Sequence, residues 1–262
     1  VRPIIRVQLC VVGFHRFGHL ALEPELFLCQ PPPIRAARRT VTLWSLGKRS
    51  IQTNRFLADK WREVLHVWPS WVIDAMIRAG NLIPQLAVDQ PLLSIHGPNN
   101  ALDIKGPRLS FSEAEHQEGR RQLGSLGVDI RRPYACLIVR DGSHYASLGE
   151  VESSGYSILN CSIECFEETA LGLADKGIQV VRMGAGVSHP GVFDYAKSHQ
   201  RNEFLDVYIA GTCTFAISTQ TGPDAVCLAF RRPVFYVDVV RFSQFFFGTR
   251  YACWNPATIL LD

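Results

Sequence analysis

Apolar residues in this chain fall into short runs rich in β-branched side chains, separated by longer stretches where they recur every three or four positions. The runs are 4–12 (IIRVQLCVV), 40–46 (TVTLWSL), 134–139 (YACLIV), 178–184 (IQVVRMG), 212–217 (TCTFAI) and 233–238 (PVFYVD). Most are too continuously apolar for a half-exposed strand and match strands buried on both faces. Helical spacing occupies 13–28, about 52–65 and 69–79, 110–128, 161–177, 203–211 and 222–230. Ser112, followed three residues later by Glu115, predicts a capping box, and Gly177 a helix stop. Strands alternating with helices in both halves predict an α/β chain with parallel sheets covered on both faces.

The intervening segments set the domain plan. QPPPIRAARR (30–39) reads as an exposed connector stiffened by proline, and HGPNNALDIKGP (96–107) as loop. The polar stretch 140–159 is a long loop of the kind that carries function in compact domains. The boundary is expected in the second of these segments. It divides the chain into two Rossmann-like domains, 1–105 and 106–262, facing a cleft. The start lacks an initiator Met and the end stops on an apolar run, so a fragment with a truncated C-terminal end is the expectation.

Composition narrows the class. Over 262 residues, 47% are hydrophobic and 19% charged, which is a globular balance and not a disordered one. No run of about 18 apolar residues marks a membrane span, and the opening VRPIIRVQLCVVGF reads as a first strand, not a signal peptide. A net charge of +3 argues against nucleic acid as the main partner. The cations are clumped at Arg35, Arg38 and Arg39, at Lys48 and Arg49, at Arg120 and Arg121, and at Arg131 and Arg132. Solvated faces explain such clumps, as does a peripheral contact with an anionic membrane. Eight cysteines without a CxxC pair suit a reducing cytoplasm, and Cys161 with Cys165 lacks the His partners of a zinc site. Neither a metal nor another cofactor is expected.

Four polar segments sit where predicted strands end, the place where open α/β sheets bind ligands. In STQTGPDAV (218–226), Ser218, Thr219 and Thr221 offer hydroxyls to a phosphate, and a helix opening at Gly222 would aim backbone amides at it. The same residues would equally serve as an ordinary helix cap. Arg140 directly follows a strand and offers a planar fork of donors suited to a diphosphate, with Asp141 beside it to orient it or to meet a sugar hydroxyl. A surface ion pair is the plain alternative. Arg182, Gly184 and Gly186 end another strand. Finally, GFHRFGHLALEPE (13–25) lacks the GxGxxG spacing of dinucleotide sites but packs His15, Arg16, His19, Glu23 and Glu25 into one strand-to-helix turn.

The chain resembles a family of bacterial glycosyltransferases from surface-polysaccharide clusters, distantly similar to the fucosyltransferases of the GT-B fold. The resemblance rests on RFGHLALEPELFL (16–28), SFSEAEHQEGRRQLGSLGV (110–128) and YACLIVRD (134–141), and continues through ILNCSIECF (158–166), GIQVVRMG (177–184) and NEFLDVYIAGTCTFAISTQTG (202–222). It implies transfer of a sugar from a nucleotide sugar to a glycan or lipid-linked acceptor. The donor would sit on the C-terminal domain and the acceptor on the N-terminal one. By position, Arg140 resembles the family's diphosphate-binding arginine, Ser218, Thr219 and Thr221 its phosphate loop, and Asp206 an acidic position in the preceding helix. No convincing DxD motif is present, so a metal-independent transfer is expected. An inverting transfer needs a base for the acceptor hydroxyl, and His19, Glu23 and Glu25 are the candidates. A nucleotide-sugar epimerase or hydrolase and a catalytically inactive nucleotide-binding module are the competing readings.

Overall fold

A computed structural model describes residues 5–30, 39–83, 88–95, 100–140, 160–183, 193–239 and 249–256. The apolar runs form two parallel sheets. Strands β1 (Ile5–Val11), β2 (Arg39–Ser45) and β3 (Val88–Asp89) make a three-stranded sheet in the order β2-β1-β3. Strands β4 (Tyr134–Ile138), β5 (Gln179–Met183), β6 (Phe193–Asp194), β7 (Phe215–Ser218), β8 (Val234–Val239) and β9 (Ala252–Pro256) make a six-stranded sheet, order β6-β5-β4-β7-β8-β9. Every strand pairing among the described residues is parallel, as the continuous apolar runs predict. All five residues of β4 and of β5 are buried.

Helices α1 (Phe17–Cys29), α2 (Arg55–Val64) and α3 (Ser70–Leu82) accompany the first sheet. One turn, α4 (Ala101–Ile104), lies inside the segment expected to be loop. Helices α5 (Glu113–Ser125), α6 (Glu167–Asp175), α7 (Glu203–Thr212) and α8 (Asp224–Ala229) accompany the second sheet. The predicted capping box closes α5. Ser112 Oγ accepts from the Glu115 amide at 3.2 Å, and Glu115 Oε2 accepts from the Ser112 amide at 2.6 Å. None of the helices among the described residues is long and apolar enough to cross a membrane.

Helix α1 runs straight through Pro24, which has no amide hydrogen to give to the Leu20 carbonyl. The indole of the fully buried Trp61 supplies the missing bond, Nε1 donating to Leu20 O at 2.8 Å. The carbonyl freed by the proline is thereby satisfied, and the bond ties α1 to α2. On its other side α1 packs against α8, and one buried apolar cluster runs from Cys10 and Trp44 through Leu22 and Leu26 to Val226, Val181 and Tyr236. The two sheets thus share a continuous core.

In each sheet the chain reverses its direction of spreading beside one strand. After β1 it adds β2 on one side and β3 on the other. After β4 it adds β5 and β6 on one side, then β7, β8 and β9 on the other. Crevices at such switch points, beyond the carboxyl ends of the strands, are the usual ligand sites of open α/β sheets.

Candidate active site

The segment after β1 is organised by Glu23. Its Oε2 accepts from the Gly13 amide at 2.8 Å and its Oε1 lies 2.7 Å from His19 Nδ1. Glu23 is 6% exposed, whereas the His19 side chain keeps 28% of its surface open. A carboxylate at Nδ1 can only accept, so Nδ1 carries a hydrogen and Nε2 is the ring nitrogen left free of this contact. Gly13 is required by this packing: a Cβ there would lie 2.9 Å from His19 Cβ.

The STQTG turn after β7 lies against the start of α1. A Cβ on Gly18 would come within 3.3 Å of Gly222 Cα, and one on Gly222 within 3.3 Å of the Gly18 nitrogen. Helix α1 has no side-chain cap and no acidic residue in its first turn, and its amino end lies beside this turn. His19 and Gly222, about 200 residues apart in the chain, are brought to one place.

Within STQTG the hydroxyls divide. Ser218 is fully buried and donates to Asp224 Oδ2 at 2.7 Å. Thr219 is 3% exposed, and its Oγ1 accepts from the Arg140 amide at 2.8 Å. Its own amide donates to Ile138 O at 3.1 Å. These two residues hold the turn and tie the end of β4 to the end of β7. Thr221, half-buried, remains at the surface of the turn, its amide donating to Asp224 Oδ2 at 2.8 Å. Gln220 adopts the left-handed conformation with φ 63°, unusual for a side chain of its size, and its Oε1 is buried without a hydrogen-bond partner among the described residues.

Asp224 is the residue that sequence reasoning missed. It anchors the turn through Ser218 and the Thr221 amide, and Tyr236 also bonds it. Burial outweighs these bonds and pushes its carboxyl up to about 6. Its spacing from Thr221 is a T-x-x-D helix-start signal, which was available in the sequence.

Arg140 stands at the end of β4, half-buried, beside Thr219 at the switch point. The other described candidates already have partners. Arg182 is fully buried within β5, where its register partner Asp194 forms an ion pair at 3.6 Å. Its side chain is enclosed in the fold beside that carboxylate. Asp206, in the first turn of α7, accepts from Arg201 at 3.2 Å and bonds Tyr195, and burial raises its carboxyl. Glu25 is completely buried. It accepts from Arg231 Nη2 at 2.7 Å and from the Arg108 amide at 3.3 Å, so it rivets α1 to the end of α8 and has no opening toward an acceptor. Burial raises its carboxyl, against the lowering effect of Arg231. Asp141, Gly184 and Gly186 fall outside the described residues. Among those described, no group of three or more His, Cys, Asp or Glu is arranged to hold a metal ion.

No protein-family model matches the chain, and no curated protein matches it by sequence. Solved structures do match its fold. The crystal structure of a glycosyl transferase family 9 protein from Veillonella parvula DSM 2008 matches with a TM-score of 0.56 at 11% identity, over 96% of this chain and 85% of the other. The E. coli ADP-heptose LPS heptosyltransferase II matches with a TM-score of 0.51 at 13% identity, over 95% and 90%. The chain therefore has the α/β, parallel-sheet fold of these GT-B glycosyltransferases.

Proposed function

We propose that the chain is a glycosyltransferase that moves a sugar from a nucleoside-diphosphate sugar to a hydroxyl of a glycan or lipid-linked acceptor. The observation that carries this reading is the backbone contact between Gly18 and Gly222. It sets a carboxylate-oriented histidine beside a phosphate-type turn, at the switch points of both sheets. The fold shared with the two glycosyltransferases supports it, and so does the resemblance in sequence.

In this mechanism His19 Nε2 takes the proton of the acceptor hydroxyl while Glu23 steadies the imidazolium that forms. The acceptor oxygen attacks the anomeric carbon, and the bond from that carbon to the diphosphate breaks. Charge growing on the leaving diphosphate meets the Thr221 hydroxyl, the Arg140 guanidinium and the open amides at the start of α1. Ser218, Thr219 and Asp224 keep these donors in place. Asp141, Gly184 and Asp206 are proposed to complete the donor side. Glu25 is set aside as a base because it is sealed by Arg231. The heptosyltransferase among the fold neighbours is named for ADP-heptose, which puts an ADP-sugar first among the donors to try. The clumped cations favour work at the cytoplasmic face of a membrane.

The test is calorimetry with ADP, GDP, UDP, CDP and TDP, alongside a transfer assay. Thr221→Val, which keeps volume and removes one hydroxyl, should weaken nucleotide binding by about 1.5–3 kcal/mol. His19→Ala should leave binding nearly unchanged and slow transfer about 10²-fold or more. If both variants weaken nucleotide binding equally, the division between base and phosphate turn is wrong. If no nucleotide binds at millimolar concentration, the reading fails.

A further inference from the structure

At the amino edge of the six-stranded sheet, opposite the candidate active site, lies a cavity of about 220 Å³. It is bounded by α5, by the segment leading into β4, by the last turn of α7 and by Thr214 just before β7. The buried Leu123, Val128, Tyr134 and Tyr208 form its inner part. The polar groups there are already used. Tyr134 Oη donates to Ile209 O at 2.9 Å and lies 2.7 Å from Thr212 Oγ1, which in turn donates to Tyr208 O at 2.7 Å. Beside these bonded groups the inner part offers a visitor the Leu123 and Val128 side chains and the faces of two tyrosine rings.

The mouth is different. Arg120 and Arg132 stand there with the half-exposed Ile130, and none of the ten lining residues is acidic. Arg120 reaches out to Glu113 at 2.9 Å in a solvent-exposed pair, and Arg132 donates its Nε to Gly177 O at 3.3 Å and lies near enough to Asp129 to lower that carboxyl. Exposed pairs of this kind contribute little and exchange readily for another anion. Leu123, Val128 and two tyrosine rings behind two exposed guanidinium groups suit a ligand with an aromatic body and an anionic head. A cavity of about 150 Å³ holds one benzene ring, so the space here admits about one ring and a small substituent.

We propose that this cavity is a second binding site, for a small organic acid consisting of a single ring with one carboxylate or phosphate group. The ring lies between Leu123, Val128 and the two tyrosines, and the head is held by Arg120 and Arg132. The site stands on the opposite edge of the sheet from STQTG and does not depend on the proposed transferase activity.

Phenyl phosphate and phenylacetate are the probes, followed by calorimetry or by amide shifts in NMR. Inorganic phosphate and phenol serve as head-only and body-only controls. At least one probe is expected to saturate with a dissociation constant on the order of 1 mM or below, and each control to bind about tenfold more weakly or less. Arg120→Gln with Arg132→Gln, both at exposed positions, should weaken the probe about tenfold or more without changing the melting temperature. Binding should persist under saturating ADP or GDP. Absence of saturation by both probes at about 10 mM, equal binding by the double variant, or displacement by a nucleoside diphosphate would each overturn the assignment.

Discussion

Replacing Asp224 by Asn tests whether a buried acid governs the STQTG turn. The carboxyl is 7% exposed, accepts from Ser218 and the Thr221 amide, and is pushed by burial from its ordinary 3.8 up to about 6. Because the folded value is the higher one, the folded state keeps the proton where the unfolded chain has lost it. The stability contributed by the neutral acid is complete below about pH 3.8 and disappears as the pH rises past about 6. A rise of roughly two pK units corresponds to about 3 kcal/mol over the whole window, of which about 1.4 kcal/mol falls between pH 5 and pH 7.5. Asn has nearly the same shape, its oxygen can accept both bonds, and it does not titrate. Urea unfolding of both proteins at several pH values gives the difference in stability, wild type minus D224N. That difference should fall by about 1.4 kcal/mol from pH 5 to pH 7.5. Parallel curves, or a difference that grows with pH, would refute the placement of this acid beneath the turn.

Three further outcomes are expected. Arg140→Ala should abolish measurable donor binding, and Arg140→Lys should restore only part of it because the charge returns without the planar fork; equal affinities in calorimetry would remove Arg140 from the site. Glu25→Gln should destabilise the fold by about 3–5 kcal/mol by leaving Arg231 buried without its counter-charge, and adding Arg231→Met should recover much of that loss, both read by urea unfolding. Gly13→Ala should cost about 1–3 kcal/mol in stability and slow transfer, since its new methyl meets His19 Cβ, and a fully active, fully stable variant would show that the His19 position tolerates movement.

Much of the architecture was legible in the chain because long apolar runs commit a strand wherever it pairs. The runs at 134–139 and 178–184 became the fully buried β4 and β5. The two-residue strands β3 and β6 left no such trace, since their pairing is decided by what lies beside them in the folded sheet. Ser218, Thr219 and Thr221 could be picked out as a polar cluster at a strand end. Which hydroxyl turns inward depends on where β7 stops and on Asp224, and no periodicity records that. Glu25 and Arg182 carry the right chemistry for a site, yet burial gives each a partner, Arg231 and Asp194, that local reading cannot supply. Pro24 is a similar case. The apolar spacing carries the helix through it, but the bond from the distant Trp61 that satisfies the freed Leu20 carbonyl leaves no local trace.

The contact between α1 and α8 also bears on how the chain can be made. Glu25 finds Arg231 only 206 residues later, and α1 gains its packing against α8 only when that helix arrives. During synthesis, the first-made sheet must therefore wait with an unfinished surface until almost the whole chain has emerged. Long-range closure of this kind folds slowly and exposes sticky intermediates. A ribosome that releases the chain before Arg231 delivers a first half whose main helix still lacks its cover, and chaperone capture or aggregation becomes the default fate of truncated products.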